Sequence, residues 1–105
     1  MRVIIIDDHA LFRDGLKGLL EQRNIDVAGV AADGKEGIEL AKQIQPDIIL
    51  LDLRMPNMGG LELLENINTL NLNVLTVIMT GFGTVETAIE AMKKGAYDYI
   101  LKTFK

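Results

Sequence analysis

The sequence predicts a three-layer α/β sandwich built around a five-stranded parallel sheet. Three observations predict it. Short, β-branched apolar runs recur along the chain, segments with helical apolar spacing fill each interval between them, and the connections are brief. Strict alternation of this kind needs right-handed crossovers, which place helices on both faces of the sheet. The 105 residues make up one domain, and a composition 49% apolar and 25% charged suits a single buried core.

Residues 3–6, 48–51 and 74–79 are almost unbroken apolar runs, as expected of central strands covered on both faces. Residues 25–32 and 97–101 are interrupted by Gly29 and Asp98, which suits the two outer strands. Four amphipathic helices are read from Leu11/Phe12/Leu16/Leu19/Leu20, Ile38/Ala41/Ile44, Leu61/Leu64/Ile67 and Val85/Ala88/Ile89/Met92. Asp33 with Glu36 reads as a capping box, Thr84 as an N-cap, and Gly95 after Lys93 and Lys94 as a left-handed helix stop. Together these elements give a flavodoxin-like architecture of strand order 2-1-3-4-5. Its ligand crevice lies beyond the carboxyl ends of the strands, between the first and the third.

Charge and composition narrow the function. Eleven Lys and Arg against fifteen Asp and Glu give a net charge of −4, so direct contact with nucleic acid or an anionic membrane is not expected. Without cysteine there is no disulfide, thiolate nucleophile or cysteine-bound zinc. No apolar run nears the roughly 18 residues that span a bilayer, and no signal peptide is read, so a cytoplasmic protein is expected.

The carboxyl ends of the strands supply Asp7 and Asp8, Asp52, Thr80 and Lys102. Carboxylates gathered on one rim repel, by about 4 kcal/mol for two charges ~4 Å apart at an effective dielectric near 20, so a cation must compensate. A hard, oxygen-only set suits Mg²⁺, which binds one or two carboxylates and keeps several waters. Lys102 adds a fixed positive charge on the opposite side. His9, the only histidine, is read as starting the first helix or lining the rim. Met55 and Met58 are read as packing the loop after the third strand, with Pro56 forcing Met55 into an extended conformation. Lys93, Lys94, Glu86 and Glu90 are read as a solvated helix face.

IIIDDH at the end of the first strand, LLDLRMPNMGG around Asp52, the Met79-Thr80-Gly81 turn and KKGAYDYILK occur in order, each on the appropriate strand end. In these pieces and in their spacing, the whole chain resembles the receiver domains of two-component response regulators, the CheY-like domains. The resemblance implies that Asp52 accepts a phosphoryl group from a sensor histidine kinase. It also implies that Asp8, Asp52 and the backbone carbonyl of Arg54 hold Mg²⁺ while Asp7 holds a metal-bound water. Lys102 would neutralise the phosphoryl oxygens, and Thr80 and Tyr99 would form a switch pair remodelling the fourth helix and fifth strand. Such a domain catalyses its own phosphoryl transfer and dephosphorylation without being a turnover enzyme.

Two departures from that pattern bear on structure. Thr103 stands where receivers usually carry proline, so a trans bond and some shift of Lys102 or its loop are expected. Only residues 103–105 follow the last strand, so residues 1–105 read as a C-terminally short receiver without the usual fifth helix. An apolar patch beyond the roughly 300 to 600 Å² of typical monomers is then expected, with truncation or self-association as its explanation. The first 68 or so residues resemble receivers of LuxR-type regulators, whereas TGFGTVETAIEAMKKGAYDYILK resembles those of the NtrC type. Both imply a transcriptional regulator, and a hybrid parent is one reading. Of the rival functions, a flavodoxin-like carrier is disfavoured because Asp-Asp-His replaces a phosphate cradle. An aspartate phosphatase is disfavoured by Arg54, which stands where its second Asp belongs. An interaction domain that is never phosphorylated would not need Asp7, Asp8, Asp52, Thr80 and Lys102 together.

Overall fold

A computed structural model of the chain describes residues 1–55, 57–81 and 83–102. The expectations for Pro56 and Thr103 lie outside the described residues. The elements run β1 (Arg2–Ile6), α1 (Ala10–Gln22), β2 (Asp26–Ala31), α2 (Gly34–Ile44), β3 (Ile48–Asp52), α3 (Gly60–Thr69), β4 (Leu75–Thr80), α4 (Val85–Lys93) and β5 (Asp98–Leu101). All pairings are parallel, in the order β2-β1-β3-β4-β5. This is the flavodoxin-like sheet the alternation predicts, with the interrupted strands outermost.

Alternation along the strands sorts the core into two layers. Ile4, Ile6, Ile49, Leu51 and Ile78 are buried with Ala41 of α2, Leu64 and Ile67 of α3 and Ala91 of α4. Ile5 and Met79 face the other way and pack with Leu16 of α1 and Val27. Among the described residues, three helices cover one face and α1 the other, and Leu50, Val77 and Ile100 are only half-buried. Coverage on both faces is therefore full on one side and partial on the other.

Two of the helical stripes face differently from expectation. In α1 only Leu16 is buried, and Leu11 is 90% exposed. In α4 the buried residue is Ala91, while Val85, Ile89 and Met92 are exposed. α4 thus meets the sheet through a small side chain, and its larger apolar residues look outward.

The helix ends carry most of their predicted signals. Asp33 accepts a hydrogen bond from the Glu36 backbone N–H at 2.8 Å, but the Glu36 carboxylate accepts from Ala32 rather than from Asp33. The predicted box is therefore displaced by one residue. Thr84 caps α4, and a reciprocal box closes through Thr87. Gly95, at φ +98°, ends α4 in a Schellman motif: its N–H donates to Met92 and that of Ala96 donates to Ala91. Lys94 is not simply solvated, because its ammonium pairs with Glu65 of α3, and that bond first of all raises its pKa. Gly29 marks a bulge: pairing skips from Val3–Val27 to Ile4–Gly29, and a Cβ there would meet Ile44 Cδ1 at 2.9 Å. The interruption in β2 thus serves the close approach of α2.

Candidate functional site

Register brings the strand ends together. Ile6 pairs with Leu51 and Leu51 with Ile78, so Asp7 and Asp52 sit side by side at the end of the sheet. Thr80 pairs with Leu101, and Lys102 follows directly. Asp7, Asp52 and Thr80 are buried, whereas Asp8, His9 and Arg54 are exposed. Asp8, His9, Asp52, Arg54, Thr80 and Lys102 line a cavity of about 190 Å³. A larger cavity, about 490 Å³, opens along α1 beside Leu11, Phe12 and Leu16, but no group of acids with a lysine converges there. The smaller one is the candidate site.

Lys102 is held from several directions. Its Nζ donates to Asp7 Oδ2 at 2.7 Å, lies 3.0 Å from Asp52 Oδ1, and sits 4.3 Å from the centroid of the Phe12 ring. Its backbone N–H donates to the Thr80 carbonyl at 2.7 Å, extending the β4–β5 ladder one step beyond the strand. Lys102 therefore reaches both acids. Asp7 is equally fixed: Oδ1 accepts from the His9 N–H at 2.8 Å, and its carbonyl accepts from Arg13 Nη1 at 2.8 Å.

Burial pushes the Asp52 carboxyl above its ordinary value. The negative charges of Asp7 and Asp8 add to this, and the hydrogen bond from Lys102 opposes it. Burial pulls Lys102 down, but its bonds to Asp7 and Asp52 outweigh that and leave its pKa raised. At neutral pH the lysine is therefore firmly cationic. A carboxylate oxygen of Asp7, one of Asp8 and a ring nitrogen of His9 lie within 4.8 Å of one another. His9, read from the sequence as starting the first helix or lining the rim, thus does both: it is the N-cap of α1 and stands beside the acids.

The response regulator receiver domain family matches residues 3–105. The chain belongs to that family. It is 42% identical over 101 residues to the nitrate/nitrite response regulator NarL of Escherichia coli K12, an alignment covering 95% of this chain and 47% of NarL. It is 36% identical over 104 residues to the chemotaxis protein CheY of Thermotoga maritima, covering 99% and 87%. Among solved structures, a LuxR-family two-component response regulator from Aurantimonas sp. superposes with a TM-score of 0.92 at 32% identity, covering 97% of this chain and 74% of that one. A chain of the CheX–CheY–BeF₃–Mg²⁺ complex from Borrelia burgdorferi superposes with a TM-score of 0.95 at 27% identity, covering 100% and 80%. The chain spans about half the length of NarL and comparable curated regulators.

Receiver domains are phosphoacceptor switches rather than turnover enzymes. They bind Mg²⁺ through acidic residues and are phosphorylated by sensor histidine kinases. In this receiver the predicted Asp7, Asp8, Asp52, Arg54, Thr80 and Lys102 gather at one rim, as sequence reasoning expects. Tyr99 stands apart from them. It is half-buried, its hydroxyl lies 2.8 Å from Thr87 Oγ1, and its ring rests against Gly83, where a Cβ would meet Tyr99 Oη at 2.9 Å.

Sequence reasoning missed Phe12 and Arg13, which steady Lys102 and Asp7, and Thr87, which holds Tyr99. A signal for the first two exists: a helix starting just after the acids carries residues four to six positions on back toward them. Among the described residues, no helix is long and apolar enough to cross a membrane.

Proposed function

We propose that this receiver is a phosphorylation-controlled switch in which Asp52 takes a phosphoryl group from a phosphohistidine of a sensor kinase. A carboxylate oxygen of Asp52 attacks phosphorus, the P–N bond to the imidazole breaks, and the imidazole leaves with a proton. The observation that carries this reading is the Lys102 ammonium lodged between Asp7 and Asp52. It places a fixed cation where phosphoryl charge would develop.

The acids also suit a hard divalent cation, since Asp8 stands exposed at the cavity mouth beside buried Asp52. Asp8, Asp52 and the carbonyl of Arg54 would hold Mg²⁺, with Asp7 taking a water of its shell. When bound, the ion supplies neutralisation of the transferring oxygens. The remaining work falls to the chain. Lys102 moves from carboxylate oxygens toward phosphoryl oxygens, and Thr80, fully buried beside them, turns its hydroxyl to donate. The same cluster assists hydrolysis of the adduct, making dephosphorylation self-catalysed. Acid-quenched adduct that forms only with divalent cation and is lost in mild alkali is the expected signature. An alkali-stable adduct contradicts an acyl phosphate.

The switch then runs through Tyr99 and α4. In the structure Thr87 serves both the N-terminal box of α4 and the Tyr99 hydroxyl, so turning Tyr99 inward releases one partner of that helix end. Phosphoryl binding must favour the inward packing for this to occur. Tyr99→Phe is expected to leave adduct formation intact while reducing adduct-induced NMR shifts across Val85–Lys93. Thr87→Val is expected to cost about 1 kcal/mol in urea unfolding, through the lost return bond from the Thr84 N–H and the lost bond to the Tyr99 hydroxyl. Unaltered α4 shifts in Tyr99→Phe contradict this route.

The output is transcriptional, in keeping with relatives such as NarL and the transcriptional regulatory protein LiaR of Bacillus subtilis. The domain acts in the cytoplasm. Self-association uses either the half-covered α1 face or the exposed Val85, Ile89 and Met92 of α4 beside Leu101 of β5.

A further inference from the structure

We propose that His9 supplies an imidazole nitrogen to the cation held by the acidic rim, giving this receiver a preference for first-row transition ions over Mg²⁺. The proposal rests on the reading of that rim as the cation site and extends it to a residue outside the oxygen set.

Three observations converge on His9. A ring nitrogen lies within 4.8 Å of carboxylate oxygens of both Asp7 and Asp8. Two ligands on one ion at about 2.1 Å each can stand up to about 4.2 Å apart, so a small rotation of the exposed Asp8 and His9 side chains brings those two within reach of one ion, while Asp7 stays buried and fixed beside them. His9 lines the same cavity as Asp8 and Asp52. Finally, His9 occupies the N-cap position of α1, yet its side chain makes no capping hydrogen bond. Its backbone is nevertheless fixed, because the N–H donates to Asp7 Oδ1 at 2.8 Å. The ring is thus delivered to the rim by a tethered backbone and is not consumed in closing the helix.

The chemistry separates the ions. Mg²⁺ demands oxygen and gains nothing from an imidazole, whereas Co²⁺, Ni²⁺ and Zn²⁺ take imidazole readily and bind mixed nitrogen and oxygen sites more tightly through the first row. A receiver with oxygen donors alone would discriminate less. Because the chain holds a single histidine, any imidazole signature belongs to His9.

The test is calorimetric titration of tag-free protein with Mg²⁺ and separately with Ni²⁺, using wild type, His9→Ala, His9→Gln and Asp8→Ala. Proton NMR with Co²⁺ would show whether a ring resonance of His9 is paramagnetically shifted. Both His9 variants are expected to weaken Ni²⁺ about tenfold or more while changing Mg²⁺ less than about twofold, and to lose the shifted resonance. Asp8→Ala should weaken both ions. Equal losses of Ni²⁺ and Mg²⁺ in the His9 variants, or a Co²⁺ complex without a shifted ring resonance, overturn the proposal while leaving the acidic site intact. Failure of wild type to bind either ion overturns both. Thermal unfolding of the metal-free variants, expected to match wild type because His9 is exposed, separates ligand loss from misfolding.

Discussion

Lys102→Ala is expected to destabilise the metal-free fold at neutral pH by about 3 kcal/mol, the lower end for breaking a buried ion pair because the cavity meets solvent. Its side chain is only 10% exposed, and its ammonium serves two carboxylates that are 0% and 5% exposed. Removing it leaves two buried negative charges facing each other. Asp52 is already raised from 3.8 with Lys102 present, and loss of that opposing bond raises it further.

The pH dependence follows from the sign of that shift. A carboxyl with a raised folded-state pKa favours folding below its unfolded value of 3.8, and this contribution is lost as pH rises through the folded value. Acidification therefore returns stability to the variant, and the deficit against wild type should shrink between neutral pH and a pH near 3.8. Lys102 itself does not set this window. Its raised pKa makes its contribution complete below 10.5 and lost only as pH rises through a still higher folded value. Urea unfolding at the two pH values measures both effects, and a deficit that is constant or grows on acidification contradicts the assignment. Adduct formation in the variant should slow by roughly a hundredfold, the usual effect of removing one preorganised donor.

Gly60→Ala is the second large effect, and it links fold to site. A Cβ at Gly60 would lie 2.6 Å from the Asp52 carbonyl oxygen and 2.7 Å from Leu53 Cα. Both are backbone atoms, so no side chain can turn away. The Gly60 N–H also donates to the Leu53 carbonyl at 2.8 Å, which docks the start of α3 onto the segment that carries Asp52. The expected cost is about 3 kcal/mol, with displacement of Asp52 and weaker binding of divalent cation. Gly15→Ala provides the contrast. It is an exposed helical glycine with nothing within 4 Å of its Cβ position, and it should stabilise by about 0.5 to 1 kcal/mol. Equal effects of the two substitutions in urea unfolding would show that close packing at Gly60 is not what holds the Asp52 segment.

The strands and the acidic rim were legible because both are written locally. Apolar runs mark strands, and polar residues directly after them fall at strand ends once the sheet is parallel. Asp7, Asp52, Thr80 and Lys102 needed only that rule. The outward face of α4 was not legible, because periodicity in Val85, Ala88, Ile89 and Met92 shows an apolar stripe without showing which side meets the sheet. Ala91, one small residue, proved to be the contact. The role of Gly60 depends on the distance between two backbone segments, and the Tyr99–Thr87 bond depends on the rotamer chosen above Gly83. Neither has a one-dimensional signature. His9 was visible as a rim residue, but its approach to both acids is a property of the helix entry and not of its spacing alone.

The most direct measurement is intact mass after incubation with a small phosphodonor, with and without Mg²⁺, for wild type and Asp52→Ala. One phosphoryl group is expected on wild type with Mg²⁺, and essentially none when either the ion or the Asp52 carboxylate is missing. Equal labelling of the alanine variant would contradict the account, since the lysine-bridged acid would then not be the acceptor.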